Sequence, residues 1–169
     1  MKKFILLASW FLGVILINAQ ENSLQINGST NVNKFKCANY DFYFDNNKPS
    51  FTGNDLPKIK LLVKDFDCGN GTMTKDFQKT LNATQYPNLH IKFLNFSKKE
   101  NNKYIATVEV KMMTKTVKYT IDFVSSKNRL IGQETVKFSD FGIVPPKKMG
   151  GMIVVKDHLN LVFNMALTN

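Results

Sequence analysis

Apolar and polar residues alternate with a period of two through much of this chain, and that alternation restricts its possible folds more than any other feature. Residues 58–65 carry Ile59, Leu61 and Val63 at odd positions and lysine at three of the four even positions. Residues 104–112 repeat the pattern with apolar residues at even positions, and residues 117–123 repeat it again. Such alternation is typical of strands that have one buried and one solvated face.

Further strands are predicted at residues 24–27, 35–45, 89–96, 130–138 and 153–167, with a hairpin turn at residues 113–116. The total is about seven or eight antiparallel strands, with no internal repeat and no linker between domains. The predicted fold class is therefore all-β, an antiparallel barrel or sandwich with one short helix. Asp157 interrupts the apolar positions of the last strand, and we expect a β-bulge there because an unpaired inward carboxylate would be unfavourable.

Two segments depart from the period of two. Residues 72–81 place Met73, Phe77 and Leu81 four apart, which predicts a helix with one apolar face, capped by Thr72 or Thr74. Residues 139–151 contain two prolines and a Gly-Gly pair, which predict an irregular, flexible loop outside any central strand.

The first 19 residues have the pattern of a secretion signal. Lys2 and Lys3 precede an apolar stretch at 4–17, and cleavage after Ala19 would leave a single domain of residues 20–169. A retained membrane anchor is the alternative. Cleavage would lower the formal net charge from +10 to +8, and it predicts a periplasmic or extracellular protein.

Export would place Cys37 and Cys68 where a disulfide persists. A bridge between them would close a loop of about 30 residues and stabilise the fold by about 3–4 kcal/mol. Two buried free thiols are the alternative.

The remaining motifs argue against several classes of function. The chain lacks the Gly-x-Ser-x-Gly, CxxC and HExxH patterns, and its only histidines are His90 and His158, so we expect neither an enzyme nor a metal site. Lysines alternate with acidic residues and form no basic run, so nucleic acid is not an expected partner. After residue 19 no apolar run approaches the roughly 18 residues of a membrane helix.

The order of these segments resembles the YceI-like family of exported lipid-binding proteins. The resemblance covers about Leu24 to Leu167 and rests on residues 26–35, on residues 76–93 with their Tyr86-Pro87 pair, on the hairpin at 108–119, and on residues 139–143 followed by 155–159. It implies an extended, lipocalin-like barrel around an apolar tunnel that holds a polyisoprenoid, a quinone or a fatty-acid-like lipid, with no catalysis and no other cofactor. Lys75 and Ser139 stand where the family usually carries arginine.

The candidate site consists of the apolar residues that would face such a tunnel. They are Phe35, Leu61, Val63, Phe77, Leu81, Phe93, Val108, Val110, Tyr119, Ile121, Phe123, Phe138, Phe141, Leu161 and Phe163. Lys75, Lys147 and Lys148 are candidates for contacts at the tunnel opening with a headgroup or with an anionic membrane surface. The alternative is a barrel filled by its own side chains that serves as an interaction or stress-related module. The sequence predicts no oligomeric state.

Overall fold

The computed structural model describes residues 22–40, 42, 44–45, 50–51 and 55–167. The predicted signal segment lies outside this part of the chain. The elements are β1 (Ser23–Thr30), β2 (Lys34–Asn39), β3 (Lys58–Leu62), α1 (Gly71–Thr80), β4 (Asn88–Glu100), β5 (Lys103–Met112), β6 (Lys115–Ser126), β7 (Arg129–Lys137), β8 (Lys147–Lys148) and β9 (Ile153–Ala166). In the described residues, no helix is long and apolar enough to cross a membrane.

The strands form one curled antiparallel sheet in the order β2-β1-β9-β7-β6-β5-β4-β3, with the two-residue β8 paired to β9. The two edges of this sheet meet along a seam, because Ala38 exchanges backbone hydrogen bonds of 2.8 and 2.9 Å with Asp67, and Phe44 bridges to Ile59. The Cys37–Cys68 disulfide spans the same seam. The predicted antiparallel barrel and the predicted disulfide are thus both confirmed.

Inward positions follow the predicted alternation. Ile59 and Leu61 on β3, the even positions of β5 from Ala106 to Met112, and the odd positions of β9 from Leu159 to Met165 are buried. β3 is shorter than predicted, because residues 63–65 form a 3-10 turn, yet Val63 remains buried.

The helix has a different cap from the predicted one. The side chain of Asn70 accepts hydrogen bonds from the amides of Thr72 and Met73, at 2.9 and 3.2 Å. The prediction of Thr72 or Thr74 was therefore wrong. Thr74 instead accepts a hydrogen bond from the amide of Cys68 through its hydroxyl, so it fastens the helix to the disulfide.

β9 contains the predicted irregularity at Asp157. Gly28 pairs with Leu159 and Thr30 pairs with Val155. One residue of β1 therefore lies between these pairs, opposite three residues of β9. The Asp157 carboxylate accepts hydrogen bonds from the amide and the hydroxyl of Ser139, at 2.9 and 2.6 Å. The bulge thus gives this carboxylate two partners in the loop that follows β7.

The two ends of the barrel are closed differently. At the end that holds the β6–β7 turn, which we call the far end, a cluster of aromatic rings fills the interior. Its members are Phe51, Phe93, Phe96, Tyr104, Phe123 and Phe163, with ring centroids 4.9–6.5 Å apart. The opposite end, which we call the α1 end, holds α1, the β1–β2 turn and the loop of residues 138–152.

Candidate functional site

An apolar cavity of about 290 Å³ lies between α1 and the sheet. The helix contributes Met73, Asp76, Phe77 and Thr80. The other lining residues come from the cap and first turn of α1, from β1, β2 and the turn between them, from the 138–152 loop and from the start of β9. They are Thr30, Asn33, Phe35, Cys37, Asn70, Thr72, Phe138, Pro146, Lys148, Ile153 and Val155. Most of the exposed wall is carbon, so the space suits an apolar ligand better than a polar one.

The helix faces this cavity because of its sequence spacing. Met73 and Phe77 lie one turn apart on the same side of α1, which brings both side chains over the sheet. Phe77 also packs against Phe66, with ring centroids 5.3 Å apart. The disulfide and the Asn70 cap hold the start of α1, so the helix that covers the cavity is fixed at that end.

The 138–152 loop forms the side wall of the cavity. Ser139–Phe141 make a 3-10 turn that begins beside Asp157. The hydroxyl of Ser139 donates a hydrogen bond to the Asp157 carboxylate and lowers its pKa, and the amide of Ser139 lowers it further. The carboxylate is therefore ionised at neutral pH, and it holds the loop against β9.

A second carboxylate in the same loop fixes it to β6. Asp140 accepts hydrogen bonds of 3.1 Å from the Tyr119 hydroxyl and from the amide of Lys137. Partial burial raises the pKa of Tyr119, and the hydrogen bond to Asp140 raises it further. Tyr119 thus remains a neutral hydrogen-bond donor rather than a reactive phenolate.

An ion pair closes the cavity between the loop and the helix. Lys148 on β8 donates a hydrogen bond of 2.5 Å to Asp76 on α1. On its other side lies a second, wetter cavity of about 460 Å³, which also contains Asp76, Thr80, Pro146 and Lys148. Met113, Lys79, Lys147 and the segment from Gly142 to Val144 complete that second cavity. The Lys148–Asp76 pair therefore stands where the two spaces adjoin.

The structure brings only some of the predicted tunnel residues to the apolar cavity. Phe35, Phe77 and Phe138 line it. The others belong to the packed interior, where they are buried or, for Tyr119, partly buried: Leu61, Val63, Leu81, Phe93, Val108, Val110, Tyr119, Ile121, Phe123, Phe141, Leu161 and Phe163. Their assignment as ligand contacts stays a prediction.

The three predicted lysines lie at the α1 end in different roles. Lys148 lines both cavities, Lys147 lines the wetter one, and Lys75 is exposed on α1 one position before Asp76. Asp76, Ile153 and Val155 also line the apolar cavity, although the sequence pattern did not mark them as site residues. The alternating apolar residues of β9 do not show which of them face a gap, so Ile153 and Val155 could not be singled out. Asp76 on α1 carried no signal of its own.

The described residues that line the two cavities include no histidine. Both histidines are exposed, His90 on β4 and His158 on β9. In the part of the chain that the structure describes, no three His, Cys, Asp or Glu side chains cluster as a metal site would require. The arrangement can enclose an apolar chain, and it offers a cation near the opening.

Comparison with known structures gives the same architecture. BcnA of Burkholderia cenocepacia superposes with a TM-score of 0.69 and 17% identity, over 89% of this chain and 98% of that protein. The YceI protein of Campylobacter jejuni gives 0.54 and 14%, over 98% and 96%. A polyisoprenoid-binding domain from Saccharophagus degradans, implicated in plant cell wall breakdown, gives 0.54 and 10%, over 86% and 94%.

No protein-family model and no curated protein sequence matches the chain. At identities of 10–17% the structural matches establish the fold. The chain therefore has the fold of the YceI-like proteins, as its sequence resemblance predicted.

Proposed function

We propose that this protein is an exported, non-catalytic carrier that holds the apolar chain of an isoprenoid or similar long-chain lipid beneath α1. The apolar cavity between α1 and the sheet is the observation that carries this proposal. Two further facts support it: the shared fold with a polyisoprenoid-binding domain, and the Cys37–Cys68 disulfide, which suits an oxidising compartment outside the cytosol.

The size of the cavity defines how much lipid it can take. Small-molecule sites usually measure about 300–1,000 Å³, so 290 Å³ corresponds to a short section of chain. Each five-carbon prenyl unit that leaves water contributes roughly 3–4 kcal/mol. A few enclosed units are sufficient for tight binding after the entropic terms are subtracted, and the rest of a long chain would extend through the opening.

In this proposal the Lys148–Asp76 pair acts as a latch. Separation of the two side chains would join the apolar cavity to the wetter one and lengthen the space available to the chain. Both groups are partly exposed, so the pair is weak enough to open without unfolding the helix. A lipid headgroup that carries negative charge would compete with Asp76 for Lys148.

Organic extraction of gently purified protein, followed by mass spectrometry, tests the carrier proposal. We expect stoichiometric long-chain lipid in the wild-type protein. Val155→Trp should fill the cavity and lower the lipid content at least tenfold, whereas Val124→Trp, on the exposed outer face near the far end, should leave it unchanged.

The proposal would be contradicted if the extract of the wild-type protein contained no lipid and the protein also failed to take up added isoprenoid alcohol. That result would favour the alternative, a barrel without a ligand that serves as an interaction module.

The Lys148–Asp76 pair has a separate test, the rate at which the protein takes up a fluorescent lipid. Lys148→Asp alone should speed this uptake, and Lys148→Asp with Asp76→Lys should restore the wild-type rate.

A further inference from the structure

Three apolar side chains project into solvent around the opening of the cavity. Val32 is 66% exposed in the β1–β2 turn, and Met149 and Met152 are 68% and 72% exposed in the turn between β8 and β9. Residues next to each of them line the cavity, namely Asn33, Lys148 and Ile153. These three side chains, which we call the apolar rim, therefore border the opening.

Hydrogen bonds that a single asparagine, Asn31, donates and accepts hold the two turns of the rim together. The Asn31 amide donates to the carbonyl of Val154 at 3.1 Å, and its side-chain amide donates to the carbonyl of Met152 at 2.9 Å. The Val154 amide donates to the side-chain oxygen of Asn31 at 3.0 Å. Residues more than 120 positions apart in sequence thus form one surface.

The side chains of this rim bury little apolar surface when the chain folds, so they add little to its stability. Met149 has a φ of 51°, a left-handed conformation that a methionine rarely adopts, and it begins a run of positive φ that continues through Gly150 and Gly151. An asparagine or glycine would suit that backbone better, and a polar side chain would suit the solvent. Large exposed apolar groups clustered at a ligand opening are typical of a surface that meets an apolar partner.

Two lysines lie on the side of the rim that adjoins the wetter cavity. Lys147 precedes it on β8, and Lys79 projects from α1 into the wetter cavity beside Val144, which is itself exposed. Among the residues described, neither lysine forms an ion pair, whereas Lys148 is paired with Asp76. Apolar side chains that sit among unpaired lysines match a bilayer whose surface carries anionic headgroups.

The geometry points to a membrane-docking surface: we propose that the apolar rim and the lysines Lys79 and Lys147 seat the α1 end on an anionic lipid bilayer, so that the cavity opens toward the lipid. This inference rests on the proposed carrier function and adds its partner surface. A stable protein interface buries about 800 Å² from 20–30 residues on each side. The rim is much smaller than that, and a shallow insertion into a lipid surface fits it better.

Cosedimentation of the full-length protein with lipid vesicles tests the proposal. We expect tight binding to vesicles of equal parts phosphatidylglycerol and phosphatidylcholine, and weak binding to phosphatidylcholine alone. The variant Met149→Asn with Met152→Gln should bind at least tenfold more weakly, and asparagine suits the positive φ of position 149. Lys79→Gln with Lys147→Gln should lose about fivefold per lysine and most of the salt dependence.

Matched controls lie at the far end. Val124 and Ile131 are paired across β6 and β7 and are 49% and 43% exposed, and Lys127 occupies the turn between those strands. Val124→Thr with Ile131→Thr, and Lys127→Gln, should bind vesicles like the wild type. Equal losses in the rim and far-end variants would overturn the proposal, as would wild-type binding that does not depend on the anionic lipid.

Two further measurements separate the possible failures. Lipid content by mass spectrometry reports the carrier function independently, so a lipid-loaded protein that ignores vesicles would refute the docking surface and leave the carrier intact. Analytical ultracentrifugation reports self-association. A dimer that disappears in the Met149→Asn, Met152→Gln variant would assign the rim to a second copy of the chain and overturn membrane docking.

Discussion

Gly132 on β7 lies directly beneath the ring of Phe123 on β6, and a methyl group at this position has no room. A Cβ added to Gly132 would lie 2.4 Å from both Cδ1 and Cε1 of Phe123 and 2.9 Å from its Cγ. Carbon atoms pack at about 3.5–4.0 Å, so the ring would have to move by about 1.1 Å or more. The two residues are paired across the strands, and the ring covers the glycine.

The surroundings of Phe123 prevent that movement. The side chain is fully buried, and its ring centroid lies 5.7 Å from that of Phe93, 6.3 Å from Phe96 and 5.9 Å from Phe163. Overpacking in such a core destabilises by about 1–3 kcal/mol. We expect Gly132→Ala to reach the upper part of that range, about 2–3 kcal/mol, which corresponds to a fall in melting temperature of roughly 4–12 °C.

Urea denaturation, followed by circular dichroism, measures this change as a lower midpoint with an unaltered slope. Gly71→Ala is the matched control, because a Cβ there meets nothing within 4 Å, and the substitution should stabilise the helix start by about 0.4–1 kcal/mol. Gly28→Ala is an intermediate case. Its Cβ would lie 2.3 Å from Cζ of Phe35, but that ring is only partly buried and can shift into the apolar cavity. A Gly132→Ala protein as stable as the wild type would refute the packing argument.

Three further predictions concern the anchors of the site. Replacement of Cys37 and Cys68 by serine should destabilise the protein by about 3–4 kcal/mol. The urea midpoint of this variant, compared with that of the oxidised wild type, measures the loss. An unchanged midpoint would show that the bridge does not restrict the unfolded chain. Asn70→Ala should remove the cap of α1 and lower stability by about 1 kcal/mol in thermal melts, whereas Asn70→Asp should be nearly neutral. The folded state lowers the pKa of Asp157, so this carboxylate contributes stability above its unfolded pKa, and that stability is lost as the pH falls through the folded pKa. Ser139→Ala should raise the pKa of Asp157, which an NMR titration measures. An unchanged pKa would contradict the assigned hydrogen bonds.

Much of the barrel follows from local patterns in the chain. Period-two alternation located the long strands, since a residue on a half-buried sheet must be apolar on one face only. The spacing of Met73 and Phe77 located the helix, and the prolines of the 138–152 loop located the irregular wall. Each of these signals is short in range, and each depends on one element at a time.

The helix cap shows where local patterns fail. Asparagine and threonine can both cap a helix, with asparagine somewhat preferred, so Asn70, Thr72 and Thr74 were all candidates. In the folded chain the hydroxyl of Thr74 accepts the amide of Cys68, a residue outside the helix, and the Asn70 side chain caps the helix instead.

The sequence by itself predicted an all-β antiparallel fold, two cysteines that export would allow to pair, and a short helix with one apolar face. The structure closed the sheet into a barrel and joined Cys37 to Cys68. Only the tertiary structure decided which apolar residues fill the interior and which border an empty space, because a phenylalanine that packs against other rings and one that faces a gap have the same local pattern. Phe123 and Phe35 illustrate this: each covers a glycine, but one is enclosed by three other rings and the other faces the cavity beneath α1. The physical reason is that a cavity depends on how distant elements are placed against one another, and this placement is not encoded in the periodicity of any single strand.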